Sequence, residues 1–181
     1  NYPLYNFGLI EVLGTQDLPA ELEFVRPPAV APPGIPEGPL TPFINRPVET
    51  TGPPTFDGGL ISAEHATLRF QSGIQNEGSM IFSDGANRIS GRVDNITGLV
   101  ERNALVYVGP DTTVVADNDF SSGGFATGAG PDAPPILSLQ GGGTLVVEGD
   151  MALSGFLDME LSLTNSSTIQ VAGDLGLNAT L

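Results

Sequence analysis

Two stretches near the C-terminal end of this sequence are near copies of each other. Residues 144–153 read TLVVEGDMAL, residues 168–177 read TIQVAGDLGL, and a weaker version, TTVVADND, begins at Thr112. Short β-type units that recur every 20 to 50 residues are typical of proteins that stack one structural unit on the next. The repeat therefore predicts a stack of strands, in a protein that works through its shape rather than through a few reactive side chains.

The rest of the chain also reads as β-structure. It contains 24 glycines and 16 prolines in 181 residues, and no apolar run at helical spacing bounded by caps. Apolar and polar residues alternate instead, which is typical of strands with one buried face. We predict strands at 7–13, 21–25, 66–70, 80–82, 92–95, 105–108, 113–116, 145–148, 157–163 and 169–172. The predicted fold is all-β: a β-solenoid (β-helix), with a two-sheet β-sandwich or jelly roll as the alternative.

Closely spaced corner residues favour the solenoid. Glycine or asparagine recurs every few residues between Gly73 and Asn103, and both tolerate the positive φ of tight corners. A longer echo supports the same interpretation. The segment 59–70 resembles 98–107, about 38 residues on, which indicates two rungs of about 19 residues.

Proline divides the chain. Eleven of the 16 prolines lie between Pro19 and Pro54, and a residue without an N–H donor is excluded from the interior of a sheet. We therefore predict an N-terminal strand segment at 1–25, an extended proline-rich linker at 26–58, and a β-repeat domain at 59–181. The N-terminal strand either folds onto its own domain or docks on another molecule.

Charge and missing residue types exclude several functions. The net charge is −15, with 21 acidic residues and six basic ones, none of them lysine, which argues against nucleic-acid and anionic-membrane partners. Without cysteine or lysine, the chain forms no disulfide, thiolate metal site or lysine cross-link. The start at Asn1 is what a processed secreted protein shows, although a trimmed fragment looks the same. We predict a secreted, extracellular or cell-surface protein that is not an enzyme.

Few residues are candidates for specific chemistry. Asp111, Asp117 and Asp119 are oxygen ligands of the kind calcium prefers, so we consider calcium as a cofactor. His65 is the only histidine, and Asp158 with Glu160 shares one strand face, as paired catalytic carboxylates do. Both features are also ordinary for the surface of a soluble β-protein. Asn95, Asn165 and Asn178 begin glycosylation sequons.

One part of the chain resembles a known class of proteins. The phrases SGIQNEGSMIF (72–82) and NRISGRVDNITG (87–98) are similar to the repeats of secreted bacterial surface proteins of the PEP-CTERM type and of autotransporter passenger regions. The resemblance implies a secreted or surface-exposed β-solenoid and confers no activity.

These observations lead to one functional expectation with two alternatives. We expect a structural subunit of an extracellular filament or surface layer that forms a homopolymer without covalent links. Assembly would occur by end-to-end β-stacking or by donation of the strand formed by Gly8, Leu9, Ile10, Glu11, Val12 and Leu13. The alternatives are a carbohydrate- or surface-binding module, on outward Thr67, Thr112, Thr144 and Thr168, and an enzyme acting on polysaccharide.

Overall fold

A computed structural model of the protein describes residues 3–25, 41–47, 59–97, 103–125 and 134–178. These residues form 19 strands, numbered in chain order, and no helix. Sheet A contains β1 (Leu4–Asn6), β4 (Phe43–Asn45), β7 (Ile74–Asn76), β10 (Val93–Thr97), β13 (Phe120–Phe125), β16 (Met151–Leu153) and β19 (Leu175–Leu177). Sheet B contains β2 (Leu9–Leu13), β5 (Leu60–Glu64), β8 (Ser79–Asp84), β11 (Leu105–Val108), β14 (Ile136–Leu139) and β17 (Phe156–Met159). Sheet C contains β3 (Ala20–Phe24), β6 (Ala66–Phe70), β9 (Ala86–Ser90), β12 (Thr113–Ala116), β15 (Thr144–Val147) and β18 (Thr168–Val171).

Consecutive strands visit the three sheets in strict rotation, and each strand pairs with the strand three places away. We call three consecutive strands, one from each sheet, a rung: rung 1 is β1–β3 and rung 6 is β16–β18. Every pairing among the described residues is parallel, from β1 with β4 to β16 with β19. The all-β prediction is confirmed, and the regular stacking is compatible with the predicted solenoid. Three parallel sheets are not the two-sheet sandwich of the alternative, whose Greek-key connections need antiparallel neighbours.

The strands alternate because one face of each sheet is turned to a shared core. In the middle rungs the inward residues are fully buried, for example Leu68, Met80, Val106, Val114 and Leu137. Their neighbours in sequence face outward and are partly or fully exposed. This period of two is the pattern from which the strands were predicted.

The near-copied segments lie directly on top of each other. Thr144 pairs with Thr168 in sheet C, and Met151 pairs with Leu175 in sheet A, so the 24-residue repeat is one rung. The weaker copy is shifted by one residue, because Thr113, and not Thr112, pairs with Thr144. Thr112 is fully buried, so its predicted outward position is wrong.

The predicted 38-residue repeat is wrong, because its two similar strands do not stack on each other. The strand at 66–70 belongs to sheet C, whereas the strand at 105–108 belongs to sheet B, where it lies two rungs above Leu60. Alternating strands resemble one another in any sheet of the stack. A similarity between two strands therefore does not show that they lie one above the other.

Part of the proline-rich stretch enters a sheet after all. β4 lies between β1 and β7 in sheet A, and all three of its residues are buried. The prediction that proline excludes this stretch is wrong here, because Pro42 and Pro47 flank the three-residue strand and leave its own N–H groups free to pair. Residues 26–40 and 48–58 lie outside the described residues, so the division into 1–25, 26–58 and 59–181 stays a prediction.

The strand predicted at 157–163 ends earlier. β17 stops at Met159, and Ser167 N–H donates to the carbonyl of Glu160, which closes a surface loop. Leu161 and Leu163 are therefore exposed rather than inward. The alternation of apolar residues continues past the strand, which is why the sequence predicted too long an element.

A row of buried asparagines runs up the corner between sheets A and B. Asn6, Asn45, Asn76 and Asn95 occupy the same position in rungs 1 to 4. Each Nδ2 donates to the side-chain oxygen of the next rung, at 2.8, 2.7 and 2.9 Å, and Asn95 ends the row on Ser122 Oγ at 3.0 Å. We call these five residues the asparagine row.

The asparagine row also satisfies the backbone where the chain turns. Asn76 Nδ2 lies 3.1 Å from the carbonyl of Gly78 and 3.0 Å from that of Leu105 in the next rung. Asn45 Nδ2 likewise donates to the carbonyl of Gly59 and to that of Ser79 in the next rung. Because a buried carbonyl without a donor destabilises the fold, the row fixes both the corner and the register of the rungs.

Replacing Asn76 with alanine is expected to lower the free energy of unfolding by about 2–4 kcal/mol. The change removes the donor to Asn95 Oδ1 and the acceptor of Asn45 Nδ2, and each orphaned buried group costs about 1–3 kcal/mol. Chemical denaturation measures the effect, with exposed Asn103→Ala as the control, for which we expect less than about 0.5 kcal/mol. Equal effects of the two variants would contradict the structural role of the row.

Candidate assembly surfaces

Rung 1 forms an open N-terminal face. The strands β1, β2 and β3 each have a neighbour on one side only, among the described residues. Apolar side chains are exposed around this face: Leu4, Tyr5, Phe7, Leu9, Leu13, Leu18 and Val25. An open edge offers unpaired N–H and C=O groups to another strand, and here it is flanked by apolar surface.

An aromatic cluster lies at the corner of this face between sheets C and A. The rings of Phe24 and Phe70 stack with centroids 5.2 Å apart, and Phe43 lies 4.3 Å from Phe24. A cavity of about 270 Å³ opens beside the cluster and is also lined by Leu4 and Val25. The N-terminal face therefore has two apolar regions, the outer edge of β2 and this corner.

The last strands form the opposite face. Within the described residues, β17, β18 and β19 pair only with β14, β15 and β16. Their inward residues, such as Leu157 and Ile169, are only partly buried, whereas the equivalent residues one rung below are fully buried. Exposed apolar residues also occur here: Phe156, Leu161, Leu163, Leu175 and Leu177. Both faces thus expose the ends of the same core.

A buried ion pair joins rung 2 to rung 3, next to the N-terminal face. Glu77 has a fully buried side chain and accepts from Arg46 at 2.6 and 2.7 Å. The Arg46 guanidinium also lies 5.2 Å from the ring centre of Tyr5. The hydrogen bonds to Glu77 raise the pKa of Arg46 above its ordinary value, although burial acts in the other direction. Arg46 therefore stays protonated, and two charge-assisted hydrogen bonds hold it to Glu77.

The predicted donor strand belongs to its own chain in this structure. β2 pairs with β5 from Leu9 to Leu13, and Val12 is buried in the shared core. Donation of Gly8–Leu13 to a neighbouring copy would require these contacts to be broken. Strand donation stays a prediction.

The predicted calcium ligands lie apart. Asp111 precedes β12 and Asp117 follows it, about 20 Å away along the strand at 3.3 Å per residue. Asp111 accepts from Asn165 at 3.2 Å, while Asp117 lies 2.6 Å from Arg88. No group of three or more acidic or histidine side chains with the spacing of a metal site occurs in the described ranges. Calcium binding stays a prediction.

Asp119 belongs to a different arrangement. Its Oδ1 accepts from the backbone N–H of Asp150 at 3.1 Å, and Asp150 Oδ1 accepts from that of Asp174 at 2.8 Å. The carboxylates of Asp119 and Asp150 therefore each bond one rung to the next at the corner between sheets C and A. This gives the repeated aspartate a structural role.

The residues considered for catalysis and glycosylation lie in ordinary surroundings. Asp158 accepts from Ser138 and Gln140, and Glu160 accepts from the N–H of Gly141. His65 sits at a corner with a φ of 45° and faces exposed Asp84 at 3.7 Å. Asn95 is fully buried in the asparagine row, which closes that sequon to a glycan in the folded chain. Asn165 and Asn178 are exposed.

Sequence reasoning missed the asparagine row because loops disturb its spacing. Its members are 39, 31 and 19 residues apart, so no fixed period reveals them. A weak local signal exists, since Asn6 and Asn76 each precede a glycine by two residues. That pattern is too common in a glycine-rich chain to indicate a buried row.

Comparisons with protein-family models, with curated proteins and with solved structures found no significant match. No helix long and apolar enough to cross a membrane occurs in the described part of the chain.

Replacing Arg46 with alanine is expected to destabilise the protein by about 3–5 kcal/mol, because Glu77 would remain buried without its charged partner, with Gln75 as a neutral donor. Thermal or chemical unfolding measures the loss. Arg92→Ala is the control: it removes an exposed pair with Asp94, and we expect a much smaller effect. Similar losses for both variants would show that the Arg46–Glu77 pair does not stabilise the contact between rungs 2 and 3.

Proposed function

We propose that the chain is a β-solenoid structural subunit that assembles end to end, without covalent links, into an extracellular filament or surface layer. One observation carries the proposal: both the first and the last described rungs expose the ends of a continuous apolar core. In a stack of this kind each rung is stabilised by its neighbours, so a terminal rung gains stability when another rung covers it.

End-to-end stacking is preferred here to strand donation. β2 already has a complete partner in β5 and contributes Val12 to the core. Stacking uses the opposite edge of β2, which is open, and leaves the rung intact. Association through intact rungs therefore costs less than withdrawing a paired strand.

Composition supports a structural role outside the cell. The net charge of −15 keeps the separate subunits soluble. The absence of cysteine and lysine means that strength must come from hydrogen bonds and packing, as in the asparagine row and the paired aspartates. Resemblance to the repeats of bacterial surface proteins agrees with secretion.

Lysine substitutions at the two faces test this proposal. Leu9→Lys with Leu13→Lys, or Leu175→Lys with Leu177→Lys, should weaken self-association by at least about 10-fold, which corresponds to 1.4 kcal/mol. These side chains are 49–65% exposed, so the folded subunit should persist. Sedimentation velocity and negative-stain microscopy measure the association.

The matched control is Ala86→Lys with Asn103→Lys, at exposed positions in β9 of rung 3 and just before β11 of rung 4, in the middle of the stack. It changes the net charge by the same amount, and we expect normal assembly. A chain that stays monomeric at all concentrations, or control variants that assemble as poorly as the face variants, would contradict the proposal. Point substitutions are preferable to removing residues 1–25, because that deletion exposes the interior of rung 2.

One observation supports a second candidate function, the binding of a repetitive surface such as crystalline polysaccharide or ice. Thr113, Thr144 and Thr168 stack in register on the outward face of sheet C, with Val115 and Val146 paired beside them. Adjacent rungs are about 4.8 Å apart, so hydroxyl and methyl groups recur at a fixed spacing.

For this second function, Thr144→Arg should lower binding to insoluble polysaccharide, or thermal hysteresis in ice, by at least about 10-fold. The control is Ala152→Arg, on the outward face of sheet A. Retention of binding by the Thr144 variant, or no binding by the unmodified protein, would contradict this function.

A further inference from the structure

The strand β2, with the sequence LIEVL, has the same type of side chain at equal distances on either side of its central residue. Leu9 and Leu13 are its first and last residues, the β-branched Ile10 and Val12 lie next to the centre, and Glu11 is the midpoint. Leu9 and Leu13 are each 57% exposed on the outer face, whereas Ile10 and Val12 face the core. The outward residues Leu9, Glu11 and Leu13 are identical in both directions, so the strand presents the same outward chemistry to a partner rotated by 180°.

The backbone of β2 is also oriented for pairing at its open edge. The carbonyl of Gly8 accepts from Leu60 N–H, and Gly14 N–H donates to the carbonyl of Glu64. Residues of even number thus turn their backbone groups toward β5. In a regular parallel ladder the odd-numbered Leu9, Glu11 and Leu13 then direct theirs to the open edge.

We propose that two copies join at their N-terminal faces through antiparallel pairing of β2 with β2, about a two-fold axis that passes through Glu11. The partner of the N-terminal face is then a second copy in opposite orientation. This inference rests on the end-to-end assembly proposed above. Glu11 pairs with its own copy, and Leu9 pairs with Leu13 of the other chain. By symmetry, Leu13 also pairs with Leu9 of the other chain. All three are hydrogen-bonded pairs, and the leucines pack against each other on the outer face.

A head-to-tail contact uses this edge less well. Continuing the register of sheet B would place Leu9 over Phe156 but Glu11 over Asp158 of the next copy. On the outward face, that contact has one apolar pair and one like-charge pair. The inward pairs, Ile10 over Leu157 and Val12 over Met159, are apolar, as are the inward pairs of Ile10 with Val12 in the two-fold arrangement. Two-fold pairing has two leucine pairs for its single like-charge pair, and antiparallel ladders are slightly more stable per residue than parallel ones.

The second apolar region of the N-terminal face lies near the same axis. In a three-sided solenoid, the corner opposite sheet B joins sheets C and A, where Phe24, Phe43 and Phe70 surround the cavity. A two-fold axis that passes through the middle of β2 runs across the core and emerges close to that corner. Exposed Leu4 and Val25 at its rim would then meet the same residues of the second copy.

Single cysteines test this arrangement cleanly, because the chain has none of its own. In two-fold pairing, Glu11→Cys brings two thiols together at a Cα separation of about 5.5 Å, within the range of a disulfide. We expect this variant to form covalent dimers with a mild oxidant or a short bifunctional thiol reagent. Leu13→Cys alone should link poorly, and a mixture of Leu9→Cys and Leu13→Cys should link well.

Two further variants separate the possible results. Ala86→Cys, exposed in the middle of the stack, reports random collision, and Glu11→Cys mixed with Asp158→Cys reports head-to-tail contact. If covalent dimers formed only in the mixture of Glu11→Cys with Asp158→Cys, the two-fold arrangement would be overturned and end-to-end assembly would remain. The two-fold arrangement would also be overturned if Glu11→Cys formed no more covalent dimer than Ala86→Cys. A protein that is monomeric and never links would overturn this inference and the proposed function together.

Removing the like-charge pair provides an independent readout. Glu11→Gln should tighten dimerisation about 2- to 5-fold, the size expected for a cross-strand pair. Asp84→Asn, an exposed carboxylate in rung 3, removes the same charge away from the interface and should leave the dissociation constant unchanged. Weaker or unchanged dimerisation of Glu11→Gln would contradict a contact through this residue.

Discussion

The structure depends on satisfying the backbone at the corner between sheets A and B. The chain turns sharply there, and carbonyl groups from two successive rungs point into the interior. A buried amide side chain suits this position because it donates two hydrogen bonds and accepts others at the same site. The asparagine row repeats this solution through four rungs. It holds them in one register, since a slip of one residue would turn each amide to the outside.

The asparagine row stops before the stack does. Ser122 receives the last hydrogen bond, and the same position in the following rungs is occupied by Leu153 and Leu177. Rungs 5 and 6 are joined instead by apolar contacts and by the paired aspartates 119, 150 and 174. The two faces therefore differ in chemistry. At the corner between sheets A and B, the rungs near the N-terminal face are joined by hydrogen bonds and an ion pair, and those near the C-terminal face by apolar contacts.

The sequence predicted the architecture better than its details. The period of two and the repeated TxxVxGD phrases indicated stacked strands, and the repeat proved to be one rung. Most strands of sheet A were not predicted, because strands such as β1, β4 and β7 have only three residues, too few to show alternation. The strand containing Gly8–Leu13 was predicted, but its pairing with Leu60–Glu64 was not. Parallel neighbours lie far apart in sequence, and nothing local specifies them.

The central proposal is that the rungs form a single stack that associates through its two faces. Hydrogen–deuterium exchange of the unmodified protein, compared between dilute and concentrated solution, tests it most directly. We predict added protection of backbone amides in β1–β3 and β17–β19 on concentration, the open-edge amides of Leu9, Glu11 and Leu13 among them. The middle rungs should be strongly protected and unchanged. Added protection confined to the outward surfaces of the middle rungs, or no added protection at any concentration, would contradict the claim.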